Sequence, residues 1–345
     1  MKIGRSRPYT EKPVLKTSLF PRLVNGPFGD PGLFVGLRWQ GRALQFDLGR
    51  LGRMDPGDVL KISHVFVSHA HMDHFMGFDH LLRLFLPRDA VLHVYGPADF
   101  LARLAARLAG YTWNLTEEYP LVIVGHEVRP ESVVSATFRA STGFAAEGRA
   151  ERPFDGVLVD EPAIRVSAAI LDHKIPCLAF ALAEKSHLNV DTSVLERLKL
   201  QPGRWIDGLK RALRAGTPDD QPVTALVRED GALREQSFPL GALRELVIES
   251  RGQKIGYVVD TLFSPANQRK IVELVGEADL FYCEAPFLEE DVEQATKRYH
   301  LTARQAGLLG REARVRRLEV FHFSPRYDGR ADEIYAEARS AFLGG

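Results

Sequence analysis

The stretch HAHMDH at residues 69–74 follows the apolar run ISHVFV at residues 62–67, with only Ser68 between them. The run has the length and composition of a buried strand, and a strand end holds the following turn in place. Imidazole nitrogen and carboxylate oxygen are good ligands for zinc and similar divalent ions. The first two histidines, two residues apart, can point at one ion, and Asp73 with His74 can point at a second. Only 11 histidines occur in 345 residues, so a chance run of surface histidines explains this cluster poorly.

Around this motif, strand-like and helical segments alternate along the whole chain. This pattern predicts an α/β or α+β fold, in which helices cover sheets. The predicted strands are 14–24, 33–39, 43–47, 62–67, 92–95, 164–171, 177–182, 254–259, 280–283 and 318–321. The predicted helices are 78–86, 98–109, 267–275 and 304–314.

Composition excludes several classes of protein. Hydrophobic residues make up 45% of the chain and charged residues 26%, a mixture that excludes a disordered chain, a coiled coil and a low-complexity scaffold. The 45 Lys and Arg balance the 45 Asp and Glu, so the chain does not bind nucleic acid through bulk basicity. A length of 345 residues suggests one large domain or two small ones.

Cysteine usage and hydropathy give an expected location. The two cysteines, Cys177 and Cys283, lie in apolar surroundings and form no CxxC pair, which predicts two buried free thiols. Without a disulfide framework, a reducing compartment is expected. No apolar run approaches the ~18 residues of a membrane span, and the N-terminus lacks the apolar core of a signal peptide. We therefore expect a cytoplasmic protein with no membrane partner.

The HxHxDH pattern resembles the signature of the metallo-β-lactamase superfamily. The resemblance implies a four-layer αβ/βα sandwich with one or two metal ions at the sheet edge. It also implies that residues 1–345 form a single domain of this fold. The superfamily includes lactamases, thioesterases, lactonases and nucleases, so the motif alone does not define the substrate.

Three later motifs resemble those of the ribonuclease Z family, the tRNA 3′ endonucleases. LDHKIPCLAFALAEK (171–185) has the family's isolated histidine at His173. KIGYVVDT (254–261) is similar to the "SGDT" strand end and places a bridging carboxylate at Asp260. VFHFSPRY (320–327) is similar to "THxSxRY" and contributes His322. An alternative ligand, His126 in VIVGHEV, lacks the flanking signature of the small-molecule hydrolases.

The resemblance implies a site with two divalent metal ions. The first ion would be held by His69, His71 and His173, the second by Asp73, His74 and His322, and Asp260 would bridge them. Zinc is the expected metal, with manganese or iron as alternatives, because His/Asp sites accept all three. The ions would activate a water molecule for attack on phosphorus, and Asp73 would act as general base.

Two further motifs imply a proton donor. FYCEAPF (281–287) is similar to the family's "HEATF" and retains Glu284, and RYHLTARQAG (298–307) is similar to "YHSTxxQA" and retains His300. In the family these residues form a proton-donating pair. Thr302 and Gln305 have the spacing of a capping box, which would place His300 just before a helix N-terminus, where an anion is favoured. The resemblance also assigns substrate contacts, to Thr302, Ser324, Arg326 and Tyr327.

An inserted arm is expected at residues 184–222. Its segment QPGRWIDGLKRAL (201–213) is loosely similar to the family's substrate-binding arm. Two segments depart from the family pattern: LVNGPFGDPG (23–32) stands where the family has a "PxKxRN" loop, and FDLGRLGR (46–53) stands where it has "DCGEGTQ". Of the latter motif, Asp47 and Gly49 remain.

Charges are segregated along the chain near the predicted proton donor. Residues 295–330 hold nine Lys or Arg against three acids, and residues 277–293 hold seven acids and no base. Such runs are either solvated helix faces or a surface that tracks a phosphate backbone. The sequence leaves both interpretations open.

The function implied by the resemblance is endonucleolytic hydrolysis of RNA, with a tRNA 3′ trailer as the leading substrate. The products would be a 3′ hydroxyl and a 5′ phosphate. Two alternatives stay open: a hydrolase of small or cyclic nucleotide phosphodiesters on the same fold, and a non-catalytic paralogue that retains its metal. Relatives form homodimers, so a homodimer is expected here as well.

Overall fold

A computed structural model describes residues 18–344 except residues 39, 186 and 230. The chain forms two compact units. The larger unit contains the described residues up to Asp160, together with Arg165–Ala183 and the chain from Gln253 onward, and the smaller contains Glu161–Ile164 and Glu184–Gly252. The arm predicted at 184–222 falls inside the smaller unit, which continues 30 residues further. The start of the strand predicted at 14–24 lies outside the described residues.

The first sheet of the larger unit contains eight strands in sequential order, β1 to β8. The central strands β3 to β6 run parallel, and the outer neighbours on both sides are antiparallel. Three of these strands, β6, β7 and β8, are absent from the strands predicted from the sequence. The strands are Leu19–Leu23, Leu33–Leu37, Arg42–Phe46, Ile62–Phe66, Val91–Gly96, Val122–Val128, Ser132–Arg139 and Ala146–Pro153.

The second sheet of the larger unit contains six strands in the order β19-β18-β17-β11-β10-β9. The three strands β17 to β19 are parallel, and β11 runs antiparallel to β17. The strands are β9 (Val157–Asp160), β10 (Ile164–Asp172), β11 (Pro176–Glu184), β17 (Lys254–Val258), β18 (Leu280–Glu284) and β19 (Leu318–Phe321).

The inner faces of the two sheets pack against each other through aromatic rings. Phe46 lies 5.6 Å from Phe180 and 5.8 Å from Tyr257, ring centre to ring centre, and all three rings are buried. Each outer face is covered by helices, which bury apolar side chains against it. The predicted four-layer αβ/βα arrangement is therefore confirmed.

Helices of the larger unit fall into two groups. The first group follows strands of the first sheet and comprises α1 (Pro56–Val59), α2 (Met72–Phe75), α3 (Phe78–Phe85) and α4 (Phe100–Ala109). The second group covers the second sheet and comprises α8 (Pro265–Val275), α9 (Val292–Arg298), α10 (Ala303–Glu312) and α11 (Ala331–Leu343). Both cysteines are buried and free, as predicted.

The smaller unit has its own small core around Leu195, Leu209 and Leu240. A two-stranded and a three-stranded sheet pack with three short helices. These elements are β12 (His187–Val190), α5 (Thr192–Arg197), β13 (Leu200–Gln201), α6 (Trp205–Arg214), β14 (Pro222–Glu229), β15 (Ala232–Pro239), α7 (Leu240–Leu243) and β16 (Val247–Ser250). Among the described residues, no helix has the length and hydropathy needed to cross a membrane.

His126 lies on β6 in a stack of aromatic rings, away from the HAHMDH motif. Its ring is parallel to that of Tyr95 at 4.2 Å, and its Nε2 lies 3.0 Å from His93 Nδ1. Burial, reinforced by the neighbouring His93 and His64, lowers the pKa of His126 from 6.5 to about 3. His126 is therefore a neutral part of the sheet packing and belongs to neither metal-ligating cluster described below.

This buried neutral histidine predicts a loss of stability in mild acid. Between pH 6.5 and 3 the unfolded chain binds a proton at His126 that the folded chain does not, so stability falls as pH falls. Between pH 7 and 5 we expect about 2 kcal/mol of lost unfolding free energy from this group. Urea unfolding of the native protein and of His126→Gln at both pH values measures it. Equal pH slopes in the two proteins would contradict the prediction.

Candidate metal centre

The metal-ligating side chains meet at the carboxyl edge of the two sheets. Strand β4 ends just before the HAHMDH loop, β17 ends two residues before Asp260, and β19 ends directly before His322. The turn between β10 and β11 carries His173. Parallel strands present their carboxyl ends at one edge, and this is where ligands bind in open α/β sheets. Residues far apart in sequence are brought together there.

The first cluster consists of His69, His71, His173 and Asp260. One ligand atom from each lies within 4.8 Å of the others. His69 Nε2 is 2.8 Å from His71 Nδ1, and the Oδ2 atom of Asp260 is 3.5 Å from His69 Nε2 and 3.4 Å from His173 Nε2. Three imidazole nitrogens and a carboxylate oxygen are a donor set suited to zinc and similar ions.

The second cluster consists of Asp73, His74 and His322, and it adjoins the first through Asp260. Asp73 Oδ2 lies 3.5 Å from His74 Nε2 and 3.4 Å from His322 Nε2. The buried atoms His74 Nε2, His322 Nδ1 and Asp260 Oδ1 make no well-aligned hydrogen bond among the described residues, although His322 Nδ1 lies 3.0 Å from Asp260 Oδ1. Buried polar atoms are normally satisfied, so this arrangement fits a bound divalent ion. The sequence prediction of two neighbouring sets of ligands agrees with this geometry.

The pKa values of His69 in the first cluster and His74 in the second are shifted in opposite directions. Burial and the nearby His74 lower the pKa of His69 to about 2, so its ring is neutral and able to ligate at neutral pH. For His74, burial lowers the pKa, but the carboxylates of Asp260 and Asp47 outweigh it and raise the pKa to about 10. The pKa of Asp260 is well below its usual value: burial alone would raise it, but His74 and His322 hold it down.

Several of these residues adopt left-handed backbone conformations that non-glycine residues rarely occupy. The φ angle is 43° at Asp260, 62° at His322 and 54° at Asp47. Such conformations persist only where the surrounding structure imposes them, and they concentrate at functional sites. Here each one turns a side chain into the site directly after a strand.

The half-buried His300 and the fully buried Glu284 form a pair beside both clusters. His300 Nδ1 is 2.8 Å from Glu284 Oε2, while Glu284 Oε1 accepts bonds from the backbone N–H groups of Thr261 (3.0 Å) and Leu301 (3.1 Å). An ionised carboxylate only accepts, so His300 Nδ1 donates and the ring's Nε2 is left for a partner in the site. Burial lowers the pKa of His300, but Glu284 and Asp260 outweigh burial and raise it above 6.5.

The capping box predicted from the sequence is confirmed. Thr302 Oγ1 accepts from the Gln305 N–H at 3.2 Å, and Gln305 Oε1 accepts from the Thr302 N–H at 3.0 Å. Helix α10 begins at the next residue, Ala303. His300 therefore precedes a helix N-terminus by two residues, as expected.

The residues predicted to contact substrate divide into two pairs. Thr302 and Tyr327 are buried, and their hydroxyls donate to Glu289 and Asp291. Their burial does not support a substrate contact. Their hydrogen bonds hold together the segments around His300 and His322. Ser324 is half-buried and Arg326 is exposed, but Arg326 pairs with Asp291 at 3.2 Å and lies over the Phe287 ring.

Most arginines of the basic stretch 295–330 lie next to acidic side chains. Six of its eight arginines form ion pairs, five of them with residues of the acidic block 277–293. These pairs are Arg304–Glu289, Arg314–Glu277, Arg316–Asp279, Arg317–Glu319, Arg326–Asp291 and Arg330–Glu290. The two charged blocks seen in the sequence thus neutralise each other in space.

Asp47 supports the candidate metal centre by accepting four hydrogen bonds, a role that the sequence did not predict. Its Oδ1 accepts from the Ser68 N–H (2.7 Å), and its Oδ2 accepts from Ser68 Oγ (2.9 Å), from His74 Nδ1 (2.9 Å) and from the Tyr257 hydroxyl (3.0 Å). The carboxylate thereby fixes the tautomer and direction of the His74 ring. Two sequence signals pointed to Asp47: its position directly after β3 and its match to the aspartate of the family's "DCGEGTQ" motif.

We predict that replacing the Asp47 carboxylate weakens metal binding. The amide of Asp47→Asn cannot accept all four bonds, so the His74 ring loses its orientation, and we expect about 10- to 100-fold weaker affinity at the second cluster. Chelator competition measures it. Tyr257→Phe, which removes only one of the four donors, is the milder control. Unchanged affinity in Asp47→Asn would show that His74 is held by other contacts.

Comparisons with known proteins give one family model and many related sequences. A model described as "Beta-lactamase superfamily domain" matches residues 39–167. A curated protein of Deinococcus radiodurans, named ribonuclease Z, is 32% identical over 272 residues, which cover 78% of each chain.

Two solved structures share the fold over almost the whole chain. The metallo-β-lactamase fold protein YhfI from Bacillus subtilis has a TM-score of 0.52 at 16% identity and covers 93% of this chain and 92% of its own. The short form of human tRNase Z has a TM-score of 0.50 at 17% identity and covers 90% of this chain and 93% of its own. At these identities the structures show the fold alone.

Proposed function

This chain belongs to the ribonuclease Z family of metal-dependent endoribonucleases, and from that membership we propose that it hydrolyses phosphodiester bonds in precursor tRNA at the 3′ trailer. The observation that carries the proposal is the Glu284–His300 pair, 2.8 Å apart, beside two sets of metal-ligating residues. A metal centre alone serves many hydrolases, whereas a positioned acid beside it suits a reaction with an alkoxide leaving group.

We propose two metal ions, with His69, His71 and His173 on the first, Asp73, His74 and His322 on the second, and Asp260 shared between them. Zinc fits these ligands best, and manganese or iron fits nearly as well. Divalent ions bound there would activate a water molecule and neutralise charge on the scissile phosphate.

The side chains of this protein would move the protons. Asp73 is held ionised: burial raises its pKa, but His322 and His74 outweigh burial and lower it to about 2. Its carboxylate lies among the predicted ligands of the second ion, and we propose it as the group that accepts a proton from the attacking water. His300, its Nδ1 fixed on Glu284, donates a proton from Nε2 to the leaving 3′ oxygen. The products are a 3′ hydroxyl and a 5′ phosphate.

A paired assay tests the substrate. The metal-loaded protein is given a precursor tRNA with a 3′ trailer and, separately, bis-p-nitrophenyl phosphate. We expect cleavage of the precursor at the trailer junction, with products that carry the stated end groups. Efficient turnover of the small ester without cleavage of the precursor would favour the alternative, a small-phosphodiester hydrolase. Turnover of neither would favour a non-catalytic paralogue.

We also propose a role for the smaller unit, an oligomeric state and a cellular location. The smaller unit, which contains the arm predicted at 184–222, is proposed to bind the body of the RNA. A homodimer and a cytoplasmic location are proposed from the same family membership. Size-exclusion chromatography with light scattering tests the dimer.

A further inference from the structure

A cleft of about 560 Å³ lies between the β1–β2 loop and the loop after β3. It is lined by Asn25–Asp30 on one side and by Arg50, Gly52 and Arg53 on the other. Gly26 and Gly52 face open space, with no atom within 4 Å of where a Cβ would be, so the backbone of both loops is accessible from the cleft. Both loops belong to the segments whose sequence departs from the family pattern.

The cleft adjoins the second metal-ligating cluster through two short connections. The N–H of Phe323, directly after His322, donates to Pro27 O at 2.8 Å, and the Phe323 ring packs edge-on against Phe28 at 5.4 Å. On the other side, the N–H of Leu48 donates to His74 O at 2.8 Å. Arg50 follows only two residues later, so its backbone lies within about 7 Å of Leu48.

The two arginines of the cleft differ from Arg326 and Arg330 near the site. Those two pair with acidic side chains at 3.2 Å and 3.0 Å. Arg53 is exposed and has no ion-pair partner among the residues that the structure describes. Arg50 has 77% of its side chain exposed, and its single partner, Asp30, is 3.5 Å away at Nε, which leaves its terminal amino groups free.

We propose that this cleft binds a backbone phosphate of an RNA nucleotide that flanks the scissile bond, through the guanidinium groups of Arg50 and Arg53. A guanidinium matches a phosphate with two parallel hydrogen bonds, and exposed backbone at Gly26 and Gly52 lets the strand approach closely. The proposal rests on the proposed function, because it requires an RNA strand in the metal centre.

The test compares Arg50→Ala/Arg53→Ala with the native protein on two substrates. On the precursor tRNA we expect kcat/KM to fall about 10- to 100-fold, through KM. The slope of log kcat/KM against log salt should become shallower by about 1.4, at ~0.7 for each lost contact to a single strand. On bis-p-nitrophenyl phosphate, which is too small to reach the cleft, we expect no change.

Two further variants exclude structural explanations. Arg88→Ala/Arg149→Ala removes the same charge from exposed positions outside the cleft and should leave both activities and the salt slope unchanged. Arg50→Lys/Arg53→Lys should restore part of the salt slope, because lysine keeps the charge without the paired hydrogen bonds. RNA binding by fluorescence anisotropy in the slow, metal-loaded His300→Ala background gives an equilibrium value that is independent of turnover.

The outcomes are distinguishable. Loss of RNA affinity with retained ester turnover supports the subsite. Unchanged RNA affinity and salt slope in Arg50→Ala/Arg53→Ala overturns it while leaving the proposed function intact. An equal fall on both substrates overturns it too, because the arginines would then support the metal centre itself. A native protein that turns over the ester but no RNA overturns the proposed function, and the subsite with it.

Discussion

Replacing His300 with alanine is expected to lower kcat on RNA by about 10²- to 10⁴-fold while the metal content stays unchanged. The His300 ring is oriented by Glu284 at 2.8 Å, and it precedes the N-terminus of α10, where a phosphate is favoured. Without it, the 3′ oxygen must leave without a positioned proton donor. Steady-state kinetics and metal analysis on the same preparation measure both quantities.

Two variants sharpen this prediction. His80→Ala makes the same change at an exposed histidine on α3 and should leave kcat unchanged. Glu284→Gln keeps the size of the side chain but removes its charge, so it should lower kcat through the orientation and basicity of His300. A substrate with a good leaving group, such as bis-p-nitrophenyl phosphate, needs less proton donation, so His300→Ala should affect it less. If RNA turnover in His300→Ala equals that of the native protein, another group is the acid.

Replacing Asp260 with alanine is expected to remove both metal binding and activity. Its Oδ2 lies within 3.5 Å of ligand nitrogens from His69, His74 and His173, so one carboxylate serves both clusters. Losing bound metal removes several kcal/mol of charge stabilisation, which corresponds to at least about 10³-fold in kcat at ~1.4 kcal/mol per tenfold. The metal content should fall from two ions per chain to one or fewer.

Two control variants test whether the effect comes from the negative charge of Asp260 and whether it is specific to that position. Asp260→Asn keeps an oxygen ligand without the negative charge and should retain more metal than Asp260→Ala. Asp328→Ala removes an exposed carboxylate six residues after His322 and should change neither quantity. Two retained ions and full activity in Asp260→Ala would mean that the carboxylate is not a shared ligand.

The residues of the two clusters could be predicted to lie together because most of them sit in a local pattern that strand ends impose. An apolar run followed by HAHMDH, or an apolar strand followed by Asp260 or His322, is visible in a few consecutive residues. The capping box of Thr302 and Gln305 is likewise a pattern of four residues, and it was confirmed. Such local signals survive because backbone geometry at a strand end or helix start depends mainly on neighbouring residues.

Pairings between distant segments could not be predicted in this way. The stretch 295–330 appears basic along the chain, yet its arginines face the acids of 277–293, because β18 and β19 are neighbouring parallel strands. Tyr327 and Thr302 matched the family's substrate-binding motifs, but packing buries both and directs their hydroxyls to acidic side chains. His126 had the residue type of a ligand, yet its strand places it in an aromatic stack.

By itself, the sequence predicted the fold, which is confirmed, and it predicted which residues would come together in the two clusters and in the Glu284–His300 pair, because each prediction depends on short runs that this chain retains in order. Only the tertiary structure shows which hydrogen bonds hold those residues in place and which charged side chains have an ion-pair partner. Asp47 receives bonds from three residues, Ser68, His74 and Tyr257. Arg53 has no ion-pair partner among the described residues, and Arg50 has one at 3.5 Å. Those properties depend on contacts between residues far apart in sequence, and such contacts exist only once the two sheets have packed together.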